Sequence, residues 1–198
     1  MRGLSDDRFT AAVAAIDAAN GDDPTAVTVR GTTEPLALAH GRLAAEWVRR
    51  LDPEAADTIV LAARAHHLRR WEVPRSSYPE GRAGYLRWRR DQKRRHADDV
   101  GAILRDAGYG DDEVARVQAL VRRDGLGEDA GSQLVEDAAC LVFIETQLAD
   151  VADRLDHDHL LEVIRKTARK MSPTALAAVA TIPLGDDEQE LLRAALDG

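Results

Sequence analysis

The chain has little sulfur, few aromatic residues and almost no lysine. Its single cysteine, Cys140, permits no internal disulfide, which excludes a small disulfide-framed scaffold. Aromatics make up only 4% of the 198 residues, so the core must be filled mainly by Ala, Leu and Val, a choice that suits closely packed helices. No apolar run approaches the ~20 residues of a membrane span, and MRGLSDDRFTAA carries no apolar signal core. The expectation is a cytoplasmic protein without membrane contact. Lysine occurs only at Lys93, Lys166 and Lys170. The arginine bias suggests high-GC coding, so arginine identity alone argues little. Coding bias does not explain clustering, however.

Clustering is the main feature. Residues 64–96, RAHHLRRWEVPRSSYPEGRAGYLRWRRDQKRRH, hold eleven of the 27 Lys and Arg residues and only three acids, Glu72, Glu80 and Asp91. That is a local charge of +8 in a chain of formal net charge −8. Three of the six histidines lie in the same stretch. The overall acidity argues against broad nucleic-acid binding. A basic, histidine-bearing stretch in an acidic protein points to ligand chemistry.

The periodicity predicts an all-α fold in one domain over 1–198. Ser5 is expected to cap a helix ending near Asn20, with Phe9, Val13 and Ile16 inward. Residues 21–34 read as turn, with TAVTV at most a short extended piece. Pro35 opens a second helix with Leu36, His40, Leu43, Trp47 and Leu51 on one face, and Pro53 a third that runs to about Arg70. The prolines at 74 and 79 break the pattern over 71–81. Further helices are predicted at 82–107, 111–123, 130–154, 158–170, 173–181 and 186–196.

His40, His66 and His96 each fall on an apolar helix face, and Asp137 sits in QLVEDAACLVFIE among Cys140, Leu141 and Ile144. A carboxylate in such company costs ~3 kcal/mol or more without compensation, which a divalent metal would supply. The set His40, His66-His67 after AARA, and Asp137 resembles the HD superfamily of metal-dependent enzymes. Those are all-α bundles whose ion is held by a helix His, a His-Asp pair and a distal Asp. More closely, RW-x-x-PR-x-x-YP-x-x-R-x-GYL-x-WR, QLVEDAACLVF and KMS resemble domain-of-unknown-function family 4202 across nearly the whole chain. That resemblance implies an HD-like helical bundle and brings no established reaction.

His67 stands where HD enzymes carry an aspartate that can bridge two ions. The resemblance therefore implies one transition-metal ion (Fe, Mn, Co, Ni or Zn) with His40, His66, His67 and Asp137 as ligands. Neighbours in a helix diverge by about 100°, so an alternative register keeps one of the pair and recruits His96. Arg75, Tyr78, Arg82, Tyr85, Trp88 and Arg89 are expected to hold a small anionic substrate. His96, Lys93 and Glu136 are candidate catalytic groups, and Lys170 could reach an anion. His157 and His159 are expected to face solvent.

The function expected is a metal-dependent, phosphohydrolase-like enzyme acting on a phosphorylated metabolite or nucleotide. One alternative is a non-haem iron oxygenase, against which the missing bridging aspartate counts. Another is a non-catalytic module that binds an anion or nucleic acid on a degenerate HD scaffold. A homo-oligomer stays open.

Overall fold

The computed structural model describes residues 2–196, with side chains from 7 to 195. It is mainly helical, with one small hairpin. Helix α1 spans Arg2–Gly21 and buries Ala12 and Ile16. It begins three residues before Ser5, whose side chain lies outside the described residues. The segment expected to be turn folds into strands β1 (Ala26–Val29) and β2 (Thr32–Pro35), paired antiparallel with Ala26 opposite Pro35. Arg30 and Gly31 between them both take positive φ, 51° and 80°, as a tight two-residue hairpin turn requires. The Arg30 guanidinium then fastens the hairpin tip to Glu46 and Glu145.

Helix α2 (Leu36–Leu51) follows Pro35 directly and buries His40, Leu43 and Trp47 on one face, as its periodicity predicts. Helix α3 is shorter than expected. It covers Asp57–Arg64, while Pro53 lies in a preceding turn and residues 65–69 form a series of turns. Arg69, at φ 51°, breaks the helical path before the proline-bearing loop. The loop itself holds two short 3₁₀ turns, Arg70–Glu72 and Arg75–Ser77. Helix α4 (Gly81–Asp106) then runs back along the molecule, and α5 (Asp111–Arg122) packs against it.

Helix α6 (Ala130–Ala152) is capped by Asp129, α7 (His157–Ala168) by Asp156, and α8 (Pro173–Ala178) by Ser172. In each, the cap side chain accepts a backbone N–H that the first helical turn leaves unpaired. Helix α9 (Asp186–Leu196) packs on α7. The main core lies where α2, α3, α5 and α6 meet. Trp47, Leu61, Leu120, Leu141 and Leu148 are all fully buried there. Among the described residues, no helix is long and apolar enough to cross a membrane.

Candidate functional site

The early end of α3 decides the geometry of the histidine pair. In a helix, adjacent side chains diverge by about 100°. In the turns after Arg64, His66 and His67 instead lie side by side, their ring centroids 4.1 Å apart. His40 reaches them from α2, 5.4 Å from His67 and 6.5 Å from His66. His96 approaches from α4, 6.3 Å from His67. Gly41 permits this closeness, because a Cβ there would meet the Arg64 carbonyl at 2.5 Å.

Each ring has a different set of partners. His66 Nδ1 meets the Ala63 carbonyl at 2.7 Å, while its Nε2 is buried without a partner. His40 Nδ1 lies 3.2 Å from His67 Nδ1. His40 Nε2 lies 3.1 Å from Thr146 Oγ1 and 3.2 Å from the Gln147 amide. Neither ring nitrogen of His96 has a hydrogen bond; the Leu68 carbonyl is near enough to favour its charged form slightly, but not in bonding geometry.

Burial keeps the whole cluster uncharged. It pushes His40 down to about 4 and His96 down to about 3, with Arg70 adding to both. It also drives His66 and His67 well below the ordinary histidine range, helped by Arg123 at His66 and by His66 itself at His67. At neutral pH these are four neutral imidazoles.

Asp137 is not with them. Its Oδ1 accepts the backbone N–H of Ser172 at 2.8 Å and the Gln133 side-chain amide at 2.9 Å. Those donors supply the compensation that the sequence suggested a metal would provide. Among the described residues, no three or more His, Cys, Asp or Glu side chains are grouped so as to hold an ion. Of the expected four-residue ligand set, His40, His66 and His67 lie together, while Asp137 Oδ1 is bonded to the start of α8. What fits a first-row metal is the donor chemistry of the imidazoles: neutral rings, with unpartnered nitrogens on His66 and His96.

A cavity of about 760 Å³ opens beside the histidines, lined by His66, His67 and His96 together with faces of α4, α6 and α7. Helix α4 presents Tyr85, Arg89, Lys93 and His96 at helical spacing, and α7 with the turn after it presents Val163, Lys166, Thr167 and Lys170. Arg70 and Arg123 complete six cationic side chains on the wall, against the single carboxylate of Glu136. All three candidate catalytic residues, His96, Lys93 and Glu136, face this space.

Three of the cations already have an acid partner: Arg123 and, at 3.8 Å, Lys170 share Glu136, and Lys166 has Glu162. Arg123 Nε donates to Glu136 Oε2 at 3.0 Å, and its other nitrogens donate to the carbonyls of Leu120, Val121 and Val135. Burial opposes the charge on Glu136, but Arg123, Lys93 and Lys170 outweigh it and hold the carboxyl below its usual range. Lys166 pairs with Glu162 at 2.6 Å. Arg70, Arg89 and Lys93, by contrast, have no acid within ion-pair distance among the described residues. Arg70 stacks on Trp88, 4.4 Å from its centroid, and burial lowers it to about 10. Burial, with Arg123 adding, lowers Lys93 to about 8 although Glu136 pulls the other way.

The expected substrate-binding set divides. Tyr85 and Arg89 line the cavity. Arg75 does not: it donates to the carbonyls of Tyr78, Pro79 and Gly81 and so holds its own loop together. Tyr78 donates to Asp91 at 3.2 Å, Trp88 is buried with its N–H on the Val73 carbonyl, and Arg82 is exposed away from the cavity wall. Arg70, Arg123 and Lys166 were not singled out from the sequence. For Arg70 a signal existed, since it follows the histidine pair directly. Cys140 lines the cavity, but burial pushes its thiol up to about 12, which leaves it no nucleophile. His157 and His159 are exposed, as expected.

No curated protein and no solved structure matches this chain. A family model matches residues 10–192, nearly the whole length. The chain belongs to the family described as Domain of unknown function (DUF4202).

Proposed function

We propose that this chain is a metal-dependent hydrolase with an HD-like bundle, acting on a small phosphorylated metabolite or nucleotide in the cavity beside the histidines. The trio Arg70, Arg89 and Lys93 carries the reading. These cations face the cavity without acid partners, and two of them are mostly buried. Holding a cation in that state costs free energy, and an anionic ligand removes the cost. Guanidinium forks match phosphoryl oxygens in pairs, and an ammonium adds a point charge. Tyr85 and Phe143 on the same wall suit the organic part of such a ligand.

The nitrogens whose chemistry suits an ion are those of His66 and His67, which leaves His96 outside the ion's ligands. When bound, a first-row metal would polarise a phosphoryl oxygen and provide hydroxide near neutral pH. The protein's own groups bind and orient: Arg70 and Arg89 hold the phosphoryl group, and Lys93 offsets charge that develops on it. A general acid must carry the proton it gives, so His96 takes that role only once a bound anion raises it from about 3.

Protein purified without added metal is expected to carry a first-row ion and to release phosphate from some member of a phosphoester panel. Iron content with oxygen uptake and no phosphate release would replace hydrolysis with oxygenation. A second reading rests on Asp137, whose engagement with Ser172 leaves the expected ligand set one carboxylate short. On that reading the domain is an anion-binding module. Metal-free protein that takes up no metal on titration, yet binds pyrophosphate, would establish it and end the hydrolase proposal.

A further inference from the structure

The hydrogen bonds around His40 have a direction, and that direction reaches the cavity. Thr146 has one hydroxyl proton. Its Oγ1 lies 2.7 Å from the Val142 carbonyl, one turn back on α6, and a carbonyl can only accept. With the proton given to Val142, Thr146 can only accept from His40, 3.1 Å away. His40 is buried with no carboxylate partner among the described residues, so its ring carries one proton; that proton sits on Nε2 and its Nδ1 holds a lone pair. The contact between His40 Nδ1 and His67 Nδ1, at 3.2 Å, then needs the proton on His67 Nδ1. The Gln147 amide nitrogen faces His40 Nε2 at 3.2 Å; because the two ends of an amide have the same shape, the proton on Nε2 requires that amide turned over, its oxygen accepting.

We infer that Thr146 and His40 form a tautomer lock that holds His67 with its proton on Nδ1 and a lone pair on Nε2, available to a ligand in the cavity. His67 lines that cavity, His40 does not, and His67 Nε2 has no hydrogen-bond partner among the described residues. His40 is thus a positioning residue. It orients the ring that meets the ligand, in the way an outer partner orients a metal-bound or general-base histidine. His66 reaches the same state by a shorter route, because its Nδ1 can only donate to the Ala63 carbonyl. The turns after α3 therefore place two adjacent imidazoles in one tautomer, each with an Nε2 lone pair free to bind an electrophile, a proton or a metal ion. The inference does not depend on hydrolysis or on a resident metal.

Long-range proton–nitrogen NMR of the ¹⁵N-histidine-labelled protein at pH 7.5, freed of metal by chelation, reads each tautomer directly. The expected spectrum shows Nδ1 of both His66 and His67 protonated and both Nε2 atoms bare. Thr146→Val should release His67 into a mixture or into the Nε2–H form while leaving His66 unchanged, and Thr146→Ser should restore the wild-type pattern. A wild-type His67 protonated on Nε2 would mean that Thr146 gives its proton to His40 and every bond runs the other way, which overturns the inference. So would a His67 tautomer indifferent to Thr146→Val in a protein that keeps the His66 signal of the native fold. Failure of the phosphoester panel with the expected tautomers would reject the hydrolase and keep the lock.

Discussion

Arg70 and Arg75 lie five positions apart in the same basic stretch and do opposite things. Arg75 turns back on its own loop and spends its guanidinium on three backbone carbonyls. Arg70 stacks on Trp88 and leaves its donors to a cavity. Arg89 and Lys93 on α4 side with Arg70, while Arg123 on the far wall sides with Arg75, because Glu136 and three carbonyls occupy it. Density of positive charge is thus a poor guide to a binding surface. What separates structural from receptive cations here is whether each donor already has an acceptor.

The largest effect is expected where a neutralised pair is broken. Arg123→Met strips Glu136 of its partner inside the protein and should lower stability by about 3–5 kcal/mol in urea denaturation. The double variant Arg123→Met with Glu136→Leu should recover most of that loss, since it leaves no lone charge. A loss under about 1 kcal/mol from Arg123→Met alone would move Arg123 into the receptive group.

The receptive cations should behave in the opposite way. Arg70→Met and Lys93→Met are each expected to weaken calorimetrically measured binding of inorganic pyrophosphate ~10–100-fold, or about 1.4–2.8 kcal/mol. Stability should hold or rise, because each change removes a mostly buried cation that lacks an acid partner. Unaltered pyrophosphate affinity in both variants would sink the proposed ligand class.

Arg75→Ala tests the other side of the contrast. Losing three hydrogen bonds should cost about 1–2 kcal/mol of stability, because the loop and the start of α4 are held through them. Gly84 makes the same junction tight, since a Cβ there would run into the Pro79 carbonyl. Pyrophosphate affinity should stay within about twofold of wild type, the range open to a residue outside the cavity wall.

These contrasts also mark how far the residues could be read in advance. All nine α-helices among the described residues overlap a helix that the sequence predicts, and Pro35 marks the start of α2. The hairpin was not legible, because TTEP in β2 has no apolar alternation and its pairing is set by a positive-φ turn at Arg30-Gly31. Helix α3 was overextended: AARAHHLRR scans as helix, yet Arg69 takes a left-handed backbone there. His66, His67, His96, Lys93 and Glu136, each legible by residue type, line one cavity, while His40 stands behind His67. Asp137 was legible only as a buried carboxylate, which looks the same in sequence whether a metal or a backbone N–H compensates it. Arg75, Tyr78 and Trp88 misled for a related reason, as their partners are main-chain groups or an acid whose position only the fold determines.

The smallest predicted effect is a pH dependence that isolates Lys93. Burial holds its ammonium at about 8 in the folded chain, against an ordinary 10.5. Below both values the side chain is charged in either state. Between about 8 and 10.5 the unfolded chain keeps a proton that the folded chain has released, so stability without ligand rises with pH across this window. Anion binding needs the charged form and must run the other way, with pyrophosphate affinity falling about fourfold between pH 7 and 8.5. Pyrophosphate also changes protonation over that range, so the comparison is made against Lys93→Arg, which meets the same ligand with a permanently charged side chain. The ratio of wild-type to variant affinity should decline through pH 8. A ratio that stays flat would place Lys93 with Arg75 and Arg123, as a cation whose charge the fold has already used.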